Sequence, residues 1–221
     1  MSSVVWRKCS FIIFCYWVAF FLGPLAHKGD ESLEDLCALV DLINICYRSP
    51  SCWTNESSLI QGERVNLEQV REYIKSSEIL VLKRDGTGSN GSCNTVSDAS
   101  SAAPTLLGCI RTGPVSETVV GPLAEPAGYV GLLCSHPFCQ GKGIGSFLIK
   151  AAEERCANFH GLNKMVMDVL DAREELIQWY GKKGYHRTKN FVPARSFIEG
   201  KGELMLKDCN FILLEKKLDM K

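Results

Sequence analysis

Apolar side chains recur at three- and four-residue intervals in four stretches of the chain. This spacing predicts helices that bury one face. The predicted helices cover residues 33–47, 67–74, 144–159 and 176–180. Gly184 follows the last of them, and glycine is a residue type that commonly ends helices. The chain therefore alternates helices with other elements rather than forming a purely β architecture.

Apolar runs too short for helices predict strands between and around them. The predicted strands cover 79–82, 105–111, 129–134, 165–170, a segment from Tyr185 onward, and 211–214. Residues 112–126 carry Gly and Pro at intervals and are predicted to form a loop that lets its flanking strands pair as a hairpin. Hairpin pairing is antiparallel and strand–helix–strand steps favour parallel pairing, so the prediction is an α/β fold with a mixed sheet.

The segment at residues 84–104 is rich in Gly, Ser, Asn, Asp and Ala. Such a composition buries too little apolar surface to hold a fixed conformation, so a flexible insertion is predicted here. Residues 27–221 are otherwise expected to form a single domain.

Residues 1–26 form a separate apolar segment, in which Arg7 and Lys8 precede the apolar run 11–22. One hypothesis is a signal or membrane anchor, with membrane association through 11–22 and entry into the secretory pathway. The other is a buried first strand, because the run is rich in aromatic and β-branched residues. The strand hypothesis goes with a cytoplasmic protein, which is our expectation, and both hypotheses stay open at this point.

Composition narrows the classes of function. Twenty-five basic and 25 acidic side chains give a formal net charge of zero, so the basic excess typical of nucleic-acid binders is absent and no nucleic-acid partner is expected. The 11 cysteines include no CxxC pair, and no spaced histidine pair accompanies those that stand close together, so no metal site is predicted. We interpret them as buried, reduced thiols that pack as small hydrophobic groups.

The most informative stretch is residues 132–145, where a predicted strand leads through a glycine-rich turn into a helix. Amides at a helix N-terminus lack partners within the helix and carry partial positive charge. Glycines allow the close backbone approach that an anion needs, so this turn suits a phosphate or pyrophosphate. Neither the P-loop pattern GxxxxGK[ST] nor the dinucleotide pattern GxGxxG fits it.

The pattern Gln140-x-x-Gly143-x-Gly145 resembles the pyrophosphate loop of the GNAT acetyltransferase superfamily. Residues 169–185 are similar to a strand–helix segment of that family that ends in tyrosine and then Gly-aromatic. Residues 47–64 resemble the first-helix region of one uncharacterised GNAT branch. The resemblance covers most of 31–190, and it departs from the family at the 84–104 insertion, the apolar N-terminus and the His136-Pro137 step.

This resemblance implies a GNAT fold, with a mixed central sheet of about six to seven strands, helices on both faces, and a splay between the fourth and fifth strands. It implies acetyl-CoA as co-substrate, with pantetheine against the fourth strand at Leu132, Leu133 and Cys134. It further implies that the pyrophosphate lies on a loop with the following members: Gln140, Gly141, Lys142, Gly143, Ile144, Gly145 and Ser146.

By the same resemblance, Tyr180 is the acid that protonates the departing thiolate. The base is left open among Glu56, His136 and Asp168, with water as an alternative. Trp53 and Glu56 are hypothesised to line the acceptor site, or alternatively to serve as a packing aromatic and a cap. A covalent route through the cysteine at position 134 is disfavoured, because no activating histidine or aspartate stands at a defined spacing.

The predicted function is direct transfer of an acetyl group from acetyl-CoA to a primary amine. The alternative is an inactive GNAT-fold module that binds CoA or a partner, since fold and loop can outlast the acceptor site. Small amines, antibiotics, amino acids, protein lysines and protein N-termini all stay open as acceptors. Dimerisation is common in the family, but the sequence holds no signature of it.

Overall fold

The structure, a computed structural model, describes residues 7–13, 16–24, 32–84, 105–198, 203–204 and 208–219, with side chains at 32–84, 105–196 and 208–219. The helices are α1 Leu33–Arg48, α2 Leu67–Ser76, α3 Ile144–His160, α4 Glu174–Gly181 and α5 Arg195–Ile198, with a 3-10 turn at Pro137–Cys139. The strands are β1 Arg7–Ile13, β2 Tyr16–Pro24, β3 Ile60–Gln61, β4 Glu78–Arg84, β5 Leu106–Thr118, β6 Gly121–Ser135, β7 Lys164–Leu170, β8 His186–Pro193, β9 Glu203–Leu204 and β10 Asn210–Lys217.

A mixed sheet of eight strands forms the centre of the fold, in the order β1-β2-β4-β5-β6-β7-β10-β8. All neighbours pair antiparallel except β6 and β7, which are parallel. The mixed sheet confirms the predicted fold class. It holds one strand more than the predicted maximum because the apolar N-terminal segment contributes two, β1 and β2, as a hairpin beside β4.

The parallel strands part soon after they meet. β6 and β7 pair at Gly128–Met165 and Tyr129–Val166, and beyond these two pairs they diverge. This is the splay predicted between the fourth and fifth strands. With the N-terminal segment counted as one predicted strand, the fourth and fifth are 129–134 and 165–170, which lie in β6 and β7. The splay opens a cleft at the carboxyl ends of both strands.

Alternating side chains of β4 show how the sheet is covered on both faces. Ile79 and Val81 belong to the apolar cluster that packs against α1 and α2. Leu80 and Leu82 belong to the cluster that packs against α3 and α4. Because successive strand residues point to opposite faces, one short apolar run supports two helical layers, which explains its unbroken hydrophobicity.

Local capping explains where two of the helices begin. The Ser32 hydroxyl accepts a hydrogen bond from the amide of Asp35 at the start of α1. Asn66 and Gln69 exchange side-chain and backbone hydrogen bonds at the start of α2, which is a capping box. These contacts satisfy amides that have no partner within the helix.

The predicted loop at 112–126 is wrong. β5 and β6 continue through this segment as a hairpin that turns at residues 119–120. β4 pairs with β5 no farther than Thr112, and β7 pairs with β6 from Gly128 onward. The outer part of the hairpin is therefore a two-stranded ribbon with free edges, where Pro114 and Pro122 do not interrupt any neighbouring ladder.

Two other predictions meet the structure only in part. The flexible insertion predicted for 84–104 lies outside the described residues, apart from Arg84 at the end of β4. Eight cysteines have described side chains; all eight are free thiols and seven are buried, as interpreted.

Among the described helices, none has the length and apolar character needed to cross a bilayer.

Gly128 is the residue at the root of the splay for which we predict a large effect on stability. A Cβ at this position would lie 2.6 Å from the Cys156 sulfur and would clash with the Met165 sulfur. Gly128→Ala is therefore expected to lower the free energy of unfolding by about 1–3 kcal/mol, measured by chemical denaturation. The matched control is Gly181→Ala, where the added methyl meets nothing within 4 Å and the stability should hold or rise slightly. Equal losses in both variants would contradict the steric argument.

Candidate active site

A cavity of about 880 Å³ opens where β6 and β7 part. Its wall combines the end of β6, the loop that follows, β7, α4, and the segment between α1 and α2. The volume is in the range of pockets that hold drug-sized ligands and cofactors.

A bulge distorts β6 on the wall of this cavity. Leu132 has a φ of 47°, and the pairing register with β5 slips between Cys109 and Arg111. A branched residue in the left-handed region is strained, and such strain is often found at ligand sites. The Tyr47 hydroxyl donates a hydrogen bond to the Leu133 carbonyl at 3.2 Å and so ties the bulge to α1.

Cys134 also lines the cavity through β6, but its thiol is buried with only 1% of the residue exposed. The Cys109 sulfur lies 3.3 Å away. Contact with that thiol and burial raise the pKa of Cys134 well above its ordinary value. The thiol therefore stays protonated and is a poor nucleophile, in line with the disfavoured covalent route.

The glycine-rich turn has the backbone that the sequence predicted. Gly141 and Gly143 adopt left-handed φ values of 74° and 83°, and Gly143 is the N-cap of α3. The next three residues, Ile144, Gly145 and Ser146, form the first turn of α3 and line the cavity. The helix N-terminus thus faces the cavity, as an anion site requires. Lys142, in contrast, is exposed and does not line it.

Gln140 braces the turn through its side chain. Its Oε1 accepts a hydrogen bond from the Trp53 amide at 3.0 Å, and its Nε2 donates to the Ser135 carbonyl at 3.3 Å. An amide side chain supplies both the acceptor and the donor that these two contacts need. The sequence predicted that Gln140 belongs to the phosphate loop, but it did not predict that its side chain ties the loop to Trp53 and Ser135.

Arg173 fixes the same segment from the other side of the cavity. It is 6% exposed, and its Nη2 and Nη1 donate to the carbonyls of Trp53 and Thr54 at 3.1 and 3.3 Å. Its Nε pairs with Glu175 at 2.6 Å. The Trp53 ring lies edge-on to Trp179, with 5.8 Å between the ring centroids. The backbone at 53–54 is therefore held between the glycine turn and α4.

Tyr180 lies on α4 and lines the cavity, although only 6% of the residue is exposed. Its ring packs edge-on against Trp179 and Tyr185. No described residue forms a hydrogen bond with its hydroxyl. Burial raises the pKa of Tyr180, with the charge of Arg173 opposing the shift, so the hydroxyl is protonated at neutral pH.

The three suggested bases have different surroundings. Asp168 lines the cavity, and burial raises the pKa of its carboxyl. Glu56 also lines the cavity but pairs with both Arg48 and Arg64, at 3.1 and 3.4 Å. His136 does not line it; its Nδ1 accepts from the backbone amide two residues later and caps the 3-10 turn.

The sequence missed part of the cavity wall. Tyr73, Arg111 and Tyr129 line the end of the cavity near Asp168. The sequence predicts a helix at the first of these residues and strands at the other two, and it assigns none of them a chemical role. Arg111 is the one of the three whose position in the sequence indicates a special role. Arginine is seldom placed in a strand between buried residues, here Ile110 and Thr112, unless its charge has a partner.

Comparisons with known proteins agree with this geometry. The family model described as "Acetyltransferase (GNAT) family" matches residues 63–185. A GNAT family acetyltransferase from Elizabethkingia anophelis with acetyl-CoA bound is similar in structure, with a TM-score of 0.52, 16% identity, and coverage of 90% of this chain and 98% of that one. A putative acetyltransferase from Salmonella typhimurium with its cofactor acetyl-CoA gives 0.53 and 15%, with coverage of 91% and 95%.

The NatC complex bound to Gag peptide and CoA contains a chain that matches with a TM-score of 0.56 and 14% identity, covering 90% of this chain and 99% of that one. At such identities the structural likeness concerns the fold alone. A search of curated proteins gave no match. The family model, however, spans more than half of the sequence. The chain belongs to the acetyltransferase (GNAT) family.

Proposed function

We propose that the protein transfers an acetyl group from acetyl-CoA directly to a primary amine. The observation that carries this proposal is that the β6 bulge, the glycine turn and Tyr180 all line one cavity. Acetyl-CoA is the donor, as it is the ligand bound in the similar structures from Elizabethkingia anophelis and Salmonella typhimurium. Its pyrophosphate lies on the amides of residues 141–146, and its pantetheine arm runs along residues 132–134.

The reaction requires a neutral amine. The amine nitrogen attacks the thioester carbonyl carbon, a C–N bond forms, and the C–S bond breaks as the tetrahedral intermediate collapses. Tyr180 gives its hydroxyl proton to the departing thiolate of CoA, and its raised pKa keeps that proton in place until then. The proton lost by the amine goes to a base and then to solvent, from which Tyr180 is reprotonated.

Asp168 is the base that the geometry favours. Its Oδ2 accepts hydrogen bonds from the Val119 amide at 3.2 Å and the Tyr129 hydroxyl at 3.4 Å. Its Oδ1 is buried and has no hydrogen-bond partner among the described residues. Asp168 lines the cavity, and burial raises the pKa of its carboxyl, which moves the residue toward the range of a general base. Glu56, by contrast, pairs with two arginines.

Isothermal titration of acetyl-CoA into the purified protein tests the proposal first. Saturable binding is expected, and Gly143→Glu/Gly145→Glu should weaken it about 100-fold or more, because two carboxylates then oppose the pyrophosphate. The matched control is Gly181→Glu, an open position outside the turn. A well-folded wild-type protein that does not bind acetyl-CoA would overturn the proposed enzyme.

Tyr180→Phe separates an active enzyme from a CoA-binding module. We expect kcat to fall about 100- to 1,000-fold with acetyl-CoA affinity retained, since the variant loses only the proton donor. Rates are measured by release of free CoA thiol. Tyr185→Phe is the control, because the Tyr185 hydroxyl donates to Glu153 and its ring packs on Tyr180 without lining the cavity. Unchanged kcat in Tyr180→Phe would remove that residue from the mechanism.

Asp168→Asn tests the base through the pH profile. Asp168 acts only when ionised, and burial raises its pKa, so kcat/KM of the wild type should fall as the pH drops through that raised value. Asp168→Asn is expected to lower kcat/KM about 100-fold or more and to abolish this acidic inflection. The profile is corrected for the neutral fraction of the amine, because loss of neutral amine also lowers the rate in acid.

Stability against pH provides the check on folding for this variant. Because the folded-state pKa of Asp168 is raised, its contribution to stability is full below the unfolded pKa of about 3.9 and declines as pH rises through the raised value. Because asparagine does not ionise, the free energy of unfolding of Asp168→Asn should rise relative to that of the wild type as the pH increases from acid to neutral. A retained acidic inflection in a folded Asp168→Asn protein would assign the base to another group.

A further inference from the structure

The wall of the cavity beyond Asp168 is aromatic and cationic, with Arg64 and Arg111 set among tyrosines. We propose that the amine acceptor also carries a carboxylate, as an amino acid does, and that Arg111 binds this carboxylate. The proposal rests on the proposed acetyl transfer and names the class of its acceptor.

The guanidinium of Arg111 is held in a fixed place. Its Cζ lies 4.4 Å from the ring centroid of Tyr73 and 5.3 Å from that of Tyr129. Its Nε donates to the Ser77 hydroxyl at 2.8 Å. The two Nη groups make no hydrogen bond or ion pair with any described residue. A planar fork with two free nitrogens is pre-organised for a carboxylate.

The other arginines on the cavity wall show why Arg111 stands apart. Arg48 and Arg64 both pair with Glu56, and Arg173 pairs with Glu175. Arg111 is the exception among the arginines described there, although it is half-buried in a strand whose neighbours are fully buried. A partly buried cation without a counter-ion is costly, which indicates that its anion arrives with a ligand.

Arg64 adds to the positive potential of this wall. It shares Glu56 with Arg48, so two guanidinium groups are balanced by one carboxylate. Its Cζ lies 5.1 Å from the Tyr47 ring centroid. Glu63 also lines the cavity, but it is exposed to solvent, where its charge is well screened. The chain as a whole is neutral, so the positive character is local.

Tyr129 links the anion site to the proposed base. Its hydroxyl donates to Asp168 at 3.4 Å, and its ring lies against the Arg111 guanidinium. The two sites are therefore separated by about one aromatic side chain. A compact molecule, with its amine and carboxylate a few bonds apart, can place the amine at Asp168 and the carboxylate at Arg111.

The test is an acceptor panel read by release of CoA thiol from the full chain. The proteinogenic amino acids are screened first, and each acceptor found is compared with its decarboxylated amine and its α-amide. We expect kcat/KM to be about 10- to 100-fold higher with the carboxylate present, the range for a charge-assisted bidentate contact. Phosphoethanolamine is included to distinguish a phosphate from a carboxylate.

Arg111→Gln should shrink the ratio of kcat/KM between each acceptor and its decarboxylated amine to within about threefold, because the carboxylate loses its bidentate partner. Acetyl-CoA affinity should be retained in the variant. Arg71→Gln is the matched control: Arg71 is an exposed arginine of α2 that does not line the active-site cavity, and its substitution should leave the preference unchanged.

The outcomes separate this inference from the proposed function. Amines without a carboxylate that are acetylated equally well would overturn the inference and leave acetyl transfer standing. A preference for phosphoethanolamine, lost in Arg111→Gln, would overturn the carboxylate in favour of a phosphate. If nothing is acetylated, amino acids are titrated calorimetrically into the CoA-saturated protein. Binding lost in Arg111→Gln then supports the anion site although the transfer fails, and no binding overturns the inference.

Discussion

The parting of β6 and β7 after two residue pairs is the constraint on which the rest of the site depends. Unpaired strand edges in a protein interior leave backbone donors and acceptors that need partners. Here the edges face a cavity instead of a neighbouring strand, so a ligand with its own amides can complete the ladder. The missing side chain at Gly128 is what lets the strands meet closely at one end, with Met165 and Cys156 filling the space beside it.

Polar cross-links keep this cleft in shape. Gln140 of the glycine turn and Arg173, the N-cap of α4, both hydrogen-bond to the backbone at 53–54, which lies between α1 and α2. The glycine turn and the start of α4 are therefore both tied to the α1–α2 segment. Hydrogen bonds that are only partly shielded from water add little net stability each, but their directional geometry restricts how the segments that they join can be placed. They therefore specify one arrangement of the walls where apolar packing alone would tolerate several.

The helices and the glycine turn could be predicted from the sequence, because local rules of residue spacing and type apply to them. The glycine turn was found because a glycine-rich segment stands between a predicted strand and a predicted helix, and the helices followed from the three- and four-residue spacing of their apolar side chains. The ribbon at 112–126 was missed, because proline argues against a strand only where a neighbour needs its amide, and the sequence does not show where neighbouring strands stop.

The part of the cavity wall around Arg111 lay beyond such rules for a related reason. Period-two patterning indicates that a strand residue is buried or exposed, but it does not say which long-range partners share its face. Arg111 meets Tyr73 from a separate helix, and the contact exists only once α2 packs on the sheet. The roles of Tyr180 and the loop residues came from the family resemblance, and they stay predictions until kinetics and binding test them.

The tip of the β5–β6 ribbon has a mechanical consequence for the chemistry. The amide of Val119, at the turn, donates to the Asp168 carboxylate, and this bond lowers the carboxyl pKa against the effect of burial. Lifting the tip would remove that donor and make Asp168 a stronger base. The proton affinity of Asp168 is thus coupled to the position of a two-stranded ribbon whose Val115, Val120 and Leu123 pack against the sheet.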